Sequence, residues 1–368
     1  MQFRVSKLQF SQSPERRVLD SNCVRLTYCF AGVAAVFSVV VLDGRAAEDT
    51  QRFPPAFERY LLETVHPSSA ERSTLIAGAP LTKLLDTDPN NEVAVFGAVW
   101  INAPTLRYIE RLQDIENFER GGGFRVTKRI SSPPRLEDFK AMTLPDEDVE
   151  DLRSCRVGDC ELKLGAEALE RMRRTIDWSK PTARQDVESL MRQVALDYVT
   201  RYLEGGNQAL AVYRDGGRPT FVASEFRSMI ENMPHLSAFD PELRAYLLEF
   251  PGASLPASKS FLYWQDAQFG LKPTIRINHL VIHEDEDAIV VANKQLYASH
   301  YFWTALELRV LLPDHARGPG FWFATLSRSR SDGLSGFMGR VIRGRVRNEA
   351  RKGIERTLVA TKNTLEGR

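Results

Sequence analysis

Four β-rich segments followed by one long helix constrain the fold of this chain more than any other feature of its sequence. Aromatic and β-branched residues, which favour strands, are concentrated at 260–264, 273–283, 288–312 and 321–330. The third segment is long enough to bend or to carry a bulge. Residues 335–366 then place apolar side chains mostly every fourth position, which predicts a helix with one buried stripe and a basic back. Antiparallel strands closed by a helix indicate an α+β fold rather than a doubly wound α/β fold.

The preceding residues predict several helices around two more strands. Two N-terminal helices are predicted at 54–66 and 69–86, followed by a strand buried on both faces at 92–101 and a helix at 104–118. A second strand is predicted at 124–131 and a helical insertion at about 165–258.

The N-terminal region has the pattern of a secretory signal peptide. An uncharged run of 17 residues, Leu26 to Leu42, follows three arginines and precedes the small-residue site Gly44-Arg45-Ala46. Such a pattern predicts cleavage near Ala46 and a periplasmic or secreted protein. The alternative is an uncleaved anchor, although a membrane-spanning helix needs about 20 apolar residues. The predicted organisation is a signal peptide at 1–46, an N-terminal helical segment at 47–90 and one domain at 91–368.

Two cysteines remain after the predicted cleavage site, Cys155 and Cys160 in the sequence CRVGDC. Two thiols this close in an oxidising compartment predict a local disulfide, with Gly158 allowing the tight reversal between them. The alternatives fit less well, because a redox pair is usually C-x-x-C and because haem or zinc binding needs ligands that are missing nearby.

Charge is nearly balanced, with 49 Lys and Arg against 48 Asp and Glu. A nucleic-acid partner calls for a basic face with clustered charge, so the composition argues against one. Basic residues are nevertheless dense between Arg328 and Arg356. They form either the solvated back of the last helix or a contact for an anionic membrane surface, where each charge contributes about 1 kcal/mol.

Two stretches resemble the START-like, or helix-grip, superfamily, in which an antiparallel sheet wraps a long C-terminal helix. One is the strand VAVFGAVWINAP, which runs into a helix ending near DIENF, and the other is FWFATLSRSRSDGLSGF, which leads into the last helix. They cover less than half of the chain, and the insertion at 165–258 departs from the simpler members. The chain also resembles uncharacterised secreted bacterial proteins. The resemblance implies a START-like domain at 91–368 with an apolar cavity between the sheet and the last helix.

Aromatic and histidine side chains on the predicted strands are the candidate ligand-binding residues. Two-residue alternation places His279 and His300 each on an apolar face. If those faces line one cavity, the imidazoles and nearby tyrosines would orient an apolar ligand. The alternative is that both are hydrogen-bonded core histidines. The complete predicted set is Phe96, Trp100, Trp264, His279, Tyr297, His300, Tyr301 and Phe323.

The sequence contains no recognisable catalytic or cofactor motif. His279 and His283 are four residues apart on a predicted strand, roughly 13 Å, which is too far to share a metal ion. The first hypothesis is therefore a secreted, cofactor-free protein that binds a hydrophobic or amphipathic small molecule such as a lipid. The alternatives are an enzyme on the same scaffold, with a histidine or tyrosine as acid or base, and a structural protein associated with the envelope.

Overall fold

A computed structural model describes residues 53–121, 123–268, 272–332 and 336–368. The predicted signal peptide at 1–46 lies outside the described residues. The central element is an eight-stranded antiparallel sheet with the strand order β1-β2-β10-β9-β8-β7-β6-β3. Its strands are β1 Leu81–Leu85, β2 Glu92–Ile101, β3 Phe124–Arg129, β6 Ser258–Ala267, β7 Thr274–Glu284, β8 Ile289–Ala298, β9 Phe302–Pro313 and β10 Phe321–Ser331. A separate small hairpin is formed by two strands of two residues each, β4 Val212–Tyr213 and β5 Thr220–Phe221.

Strands from both halves of the chain form this one sheet. β6 to β10 make a continuous meander, β2 pairs with β10 at one end of it, and β3 pairs with β6 at the other. The sheet and the closing helix confirm the predicted α+β class.

The helices surround the sheet, and none in the described part of the chain is long and apolar enough to cross a membrane. They are α1 Pro55–Tyr60, α2 Ser69–Ile76, α3 Thr105–Gln113, α4 Ile115–Phe118, α5 Asp146–Ser154, α6 Ala166–Thr175, α7 Ala183–Gly205, α8 Val222–Glu231, α9 Pro234–Phe239, α10 Pro241–Glu249 and α11 Gly336–Glu366. A π-helical turn follows α1 at Leu61–Val65, and 3₁₀ turns occupy Leu136–Phe139 and Gly206–Ala209.

The sheet is covered on both sides. We call the side that carries α3, α4 and α11 the helix face, where Val99 and Phe323 pack with Leu358 of α11. The opposite side, the insertion face, carries the N-terminal helices and α5 to α10. All ten residues of β2 are buried, which confirms the prediction of a strand buried on both faces.

The prediction of a helix over 69–86 is wrong in its second half. The helix ends at Ile76, and Gly78 has a φ of +85°, a conformation that glycine adopts readily. Pro80 cannot continue a helix. Leu81–Leu85 instead forms the edge strand β1, paired with β2, so the segment at 47–90 that was predicted to be helical contains a strand.

The predicted long strand at 288–312 is two strands. β8 ends at Ala298 and β9 begins at Phe302, and the two pair antiparallel. The chain reverses over Ser299, His300 and Tyr301, where Tyr301 has a φ of +61°. The other predicted β-rich segments correspond to β6, β7 and β10, and the predicted last helix corresponds to α11.

The predicted disulfide is confirmed, since the sulfurs of Cys155 and Cys160 are bonded. It closes a short loop directly after α5. In the chain-entropy model such a loop contributes about 2 kcal/mol. Backbone hydrogen bonds from Gly158 to Arg214 and from Cys160 to Asp215 fasten this loop to the segment that follows β4.

We predict that Gly97→Val destabilises the protein, because α11 crosses β2 closely at this residue. A Cβ on Gly97 would lie 2.5 Å from Ile354 Cγ2 and 2.9 Å from Leu358 Cδ1. Overpacking of this kind costs about 1–3 kcal/mol, to be measured by urea unfolding. The control is Gly353→Ala on α11, whose Cβ would meet nothing within 4 Å and should leave stability unchanged or slightly raised. If the Gly97→Val variant were as stable as the wild type, α11 would not rest on β2 at this residue.

Candidate functional site

A cavity of about 270 Å³, here called the insertion cavity, lies between α6 and α7 of the insertion and strands β7 and β8. It occurs where small residues, among them Gly165, Ala195 and Ala211, line the space between helix and sheet. Larger side chains would fill such a space, since protein interiors are otherwise closely packed. Its apolar lining includes Met191, Val194, Leu210, Ile275 and Ile277.

Charged side chains line the insertion cavity where it meets solvent, and they are paired. Arg171 forms an ion pair with Asp197 at 2.9 Å, and Arg201 forms one with Glu167 at 3.0 Å. All four side chains are more than a third exposed, so each pair contributes little stability. The rim therefore presents both signs of charge with no net excess.

Three tyrosines line the deeper part of the cavity. The Tyr198 hydroxyl donates to the carbonyl of Leu296 at 2.6 Å, and the Tyr213 hydroxyl accepts from the Ala298 amide at 3.2 Å. The buried hydroxyl of Tyr297 has no hydrogen-bond partner among the described residues. Burial raises the pKa of all three above its ordinary value, so they are neutral hydrogen-bonding groups at physiological pH.

Tyr297 reaches this cavity because of a β-bulge. The β7–β8 register shifts between Ile277 and Asn278, so that Ile277 pairs with Tyr297 while Asn278 pairs with Gln295. Strict two-residue alternation would have put Tyr297 and Lys294 on opposite faces. The bulge instead brings both to the insertion face.

His300 and Lys163 are two buried side chains near the cavity that contact carboxylates. His300 Nε2 lies 3.1 Å from Asp148 of α5, and both side chains are almost fully buried. Lys163 Nζ is 2.8 Å from Asp215 and also contacts Asp332. The contact with Asp148 holds the turn after β8 to α5, and His300 is a buried, hydrogen-bonded side chain.

His279 belongs to a different cluster. Its Nδ1 lies 2.9 Å from the Tyr202 hydroxyl of α7, and its ring packs on Phe250. Burial, together with the positive charge of Lys294, lowers the pKa of His279 to about 3. It is therefore neutral at physiological pH and a weak base, and it shares no hydrogen-bond partner with His300.

The other predicted residues are dispersed. Trp264 is buried and its Nε1 donates to the Asp138 carbonyl at 2.8 Å, while the Tyr301 hydroxyl accepts from the Lys272 amide at 2.9 Å. Trp100 packs on Trp322 with ring centroids 5.2 Å apart. Phe323 packs on Tyr108 in the core of the helix face.

Phe96 lines a second cavity of about 350 Å³ on the insertion face. This second cavity lies between the N-terminal helices, the α8–α9 region and strands β8 to β10. Its rim includes His235, whose Nδ1 is 3.8 Å from Glu63 and whose ring packs edge-on against Tyr60. Of the eight predicted residues, Tyr297 lines the first cavity and Phe96 the second.

A charged network, rather than a purely apolar lining, occupies the helix face. Arg309 contacts Glu119 at 3.0 Å, Glu307 at 2.9 Å and the Tyr108 hydroxyl at 3.3 Å. Burial alone would raise the pKa of Glu307, but the charge and hydrogen bonds of Arg309 outweigh it and lower that pKa. An apolar cavity between the sheet and α11 stays a prediction.

Buried amides extend the network across the sheet. Asn293 donates to the Tyr263 hydroxyl at 2.8 Å, and Arg276 donates to Gln295 at 3.0 Å. One polar atom each of Asn278, Asn293 and Gln295 has no partner in the part of the chain that the structure describes. Sequence reasoning missed these residues and Arg309. Polar residues two positions apart, Asn293 and Gln295 in β8 and Glu307 and Arg309 in β9, were the available signal.

Comparisons with known proteins identify no relative: no family model, no curated protein and no solved structure matches the chain. Among the described residues, no three or more His, Cys, Asp or Glu side chains are grouped so that they could hold a metal ion.

We predict that Arg309→Met lowers the free energy of unfolding by about 3–5 kcal/mol, because Glu119 and Glu307 would lose their buried cation. Urea unfolding at pH 7 measures this, and the deficit should shrink on acidification, because the stability that comes with the lowered pKa of Glu307 is lost as that carboxylate takes up a proton. Arg227→Met is the control, since its pair with Glu249 is at least half exposed and is worth about 0–1 kcal/mol. Equal losses in both variants would contradict a stabilising role for the buried network.

Proposed function

We propose that this protein binds a small hydrophobic or amphipathic molecule in the insertion cavity. The observation that carries the proposal is an apolar interior whose solvent edge is lined by ion pairs of both signs. Small-molecule sites are typically concave and mostly apolar, with a few polar groups that fix orientation. An apolar chain or ring inside and a polar group at the rim match this arrangement.

The size and charge of the cavity narrow the class of ligand. Its volume of about 270 Å³ lies just below the usual range for small-molecule sites, roughly 300–1,000 Å³. This favours a single short chain or a small ring system over a two-chain lipid. Because the rim pairs Arg171 and Arg201 with acids, a neutral or zwitterionic head group fits better than a strongly charged one.

This proposal places the ligand on the insertion face rather than between the sheet and α11. A ligand on the helix face that reached Arg309 would remove this side chain and its carboxylates from their partners or from solvent, at a cost of several kcal/mol. The insertion cavity carries no such cost, since its charged side chains stay at the rim.

The enzymatic alternative has less support. A general base works best with a pKa near the working pH, whereas the pKa of His279 is lowered to about 3 by burial and by Lys294. The His300 imidazole is bonded to Asp148 in the core. Neither histidine lines the insertion cavity.

We also propose that the protein works in an oxidising compartment outside the cytosol. The disulfide between Cys155 and Cys160 supports this, because such bonds persist mainly in secreted and periplasmic proteins.

Contact between α11 and an anionic membrane stays a prediction; along its exposed side Glu349 and Glu355 lie among Arg345, Lys352 and Arg356.

We predict that Ala195→Phe weakens ligand binding at least tenfold, because its ring would occupy the insertion cavity. Fluorescence titration with an environment-sensitive dye that carries a short alkyl chain and a zwitterionic head measures the affinity. The matched control is Ala324→Phe, which places the same ring in the second cavity and should leave dye affinity unchanged. Loss of binding in Ala324→Phe alone would move the site to the second cavity and refute the proposal, as would unchanged binding in Ala195→Phe. Circular dichroism verifies that both variants are folded.

A further inference from the structure

Lys294 is a buried lysine at the contact between the insertion and the sheet. It lies on β8 opposite His279 of β7, on the insertion face, with 1% of its surface exposed. Within the described part of the chain no carboxylate forms an ion pair with it. This sets it apart from Lys163, an equally buried lysine that contacts two aspartates.

Three elements of the insertion converge on the Lys294 amine. Its Nζ donates to the side-chain oxygen of Asn207, in the 3₁₀ turn, and lies 3.4 Å from the Tyr202 hydroxyl of α7. It also sits over the rings of Phe226 of α8, at 4.3 Å, and Tyr202, at 5.1 Å. All these groups are neutral, so their hydrogen bonds and ring faces alone stabilise the charge.

Titratable and apolar side chains face Lys294 from each element that packs against it. The titratable ones are His279 from β7, Tyr202 from α7 and, across His279, Tyr246 from α10. α8 contributes Phe226, and β9 contributes Leu306 as the paired residue. Burial lowers the pKa of Lys294 to about 7 and raises the pKa values of Tyr202 and Tyr246. The tyrosines therefore stay neutral near pH 7, and the Lys294 amine is the group that titrates there.

We propose that Lys294 is a pH-dependent latch, whose neutral amine holds the insertion on the sheet and whose protonation loosens that contact. When the insertion is docked, the amine is desolvated between β7, β8 and α7. When the insertion lifts, water reaches the amine and the charged form becomes favourable.

The direction of the pH effect follows from proton linkage. The docked amine titrates near pH 7, whereas a solvated lysine titrates near 10.4. Between these values the lifted form binds one more proton, so docking strengthens about tenfold for each unit of rising pH. Below pH 7 both forms are charged and this dependence disappears. His279, with its pKa lowered to about 3 by burial and Lys294, adds a second weakening as pH falls from about 6.5 toward 3.

The consequence for ligand binding rests on the proposed function. α7 forms a wall of the insertion cavity, and Tyr198, which lines it, is one helical turn before Tyr202. Lifting of α7 would open the cavity, so lowering the pH from 9 to 7 should favour ligand release and alkaline pH should favour retention.

Amide hydrogen exchange of the ligand-free protein tests the latch. Exchange rates of α7 amides at pH 7, 8 and 9 are divided by the intrinsic rates, under conditions where closing outpaces exchange. We expect the opening constant of α7 to exceed that of β2 and to fall about tenfold per pH unit. In Lys294→Met this slope should vanish. Opening of α7 that equals that of β2, or has no slope in the wild type, would overturn the latch, and these wild-type results decide the matter even if the variant fails to fold.

Lys163→Met is the matched control, because it removes a buried lysine whose charge is paired. It should keep the alkaline slope of α7 exchange; loss of that slope would show that Lys294 is not its source. Dye titration across the same pH range separates the two proposals. A slope in exchange without dye binding would leave the latch in place and refute the proposed function. Dye binding without a slope in exchange would support the proposed function and refute the latch.

Discussion

Burial of the sheet on both faces is the constraint on which the rest of this structure depends. β2 has no exposed residue along its length, and because strand side chains alternate, Val99 and Ile101 need a cover different from that of Phe96 and Trp100. α3, α4 and α11 supply the first cover, and the N-terminal helices and the insertion supply the second. Further along the same side α7 covers β7 and β8, and the insertion cavity lies beneath it.

The two faces bury charge in different ways. On the helix face Arg309 lies between Glu119 and Glu307, and it lowers the pKa of Glu307 despite the burial of that carboxylate. On the insertion face Lys294 is surrounded by neutral groups, and burial lowers its pKa to about 7. The first arrangement joins β9 to α3 and to the residue after α4, while the second makes the insertion contact responsive to protons.

Much of the fold could be predicted from the sequence, because burial periodicity is a local signal. The apolar run of β2 predicted a strand, and the apolar residue at about every fourth position of α11 predicted a helix. The spacing of Cys155 and Cys160 predicted the disulfide. β1 was missed because Leu81–Leu85 is too short to show periodicity apart from its pairing with β2. The site was predictable only in part. A bulge in β8 moved Tyr297 to the insertion face, and bulges depend on pairing that a single strand's sequence does not specify. Lys294 was missed because a lysine in a strand ordinarily points to solvent.

Incomplete packing is concentrated between the insertion and the sheet. The insertion cavity lies at this contact, as do the Tyr297 hydroxyl, which has no hydrogen-bond partner among the described residues, and the Lys294 amine, which forms no ion pair with a carboxylate there. Each of the three lowers the stability of the docked state. Elements that open for function come from the least stable part of a fold. The disulfide loop and its backbone bonds to Arg214 and Asp215 restrain the insertion near one side of the cavity. Any opening should therefore be a local movement of α7 about this restraint, with the sheet and α11 left in place.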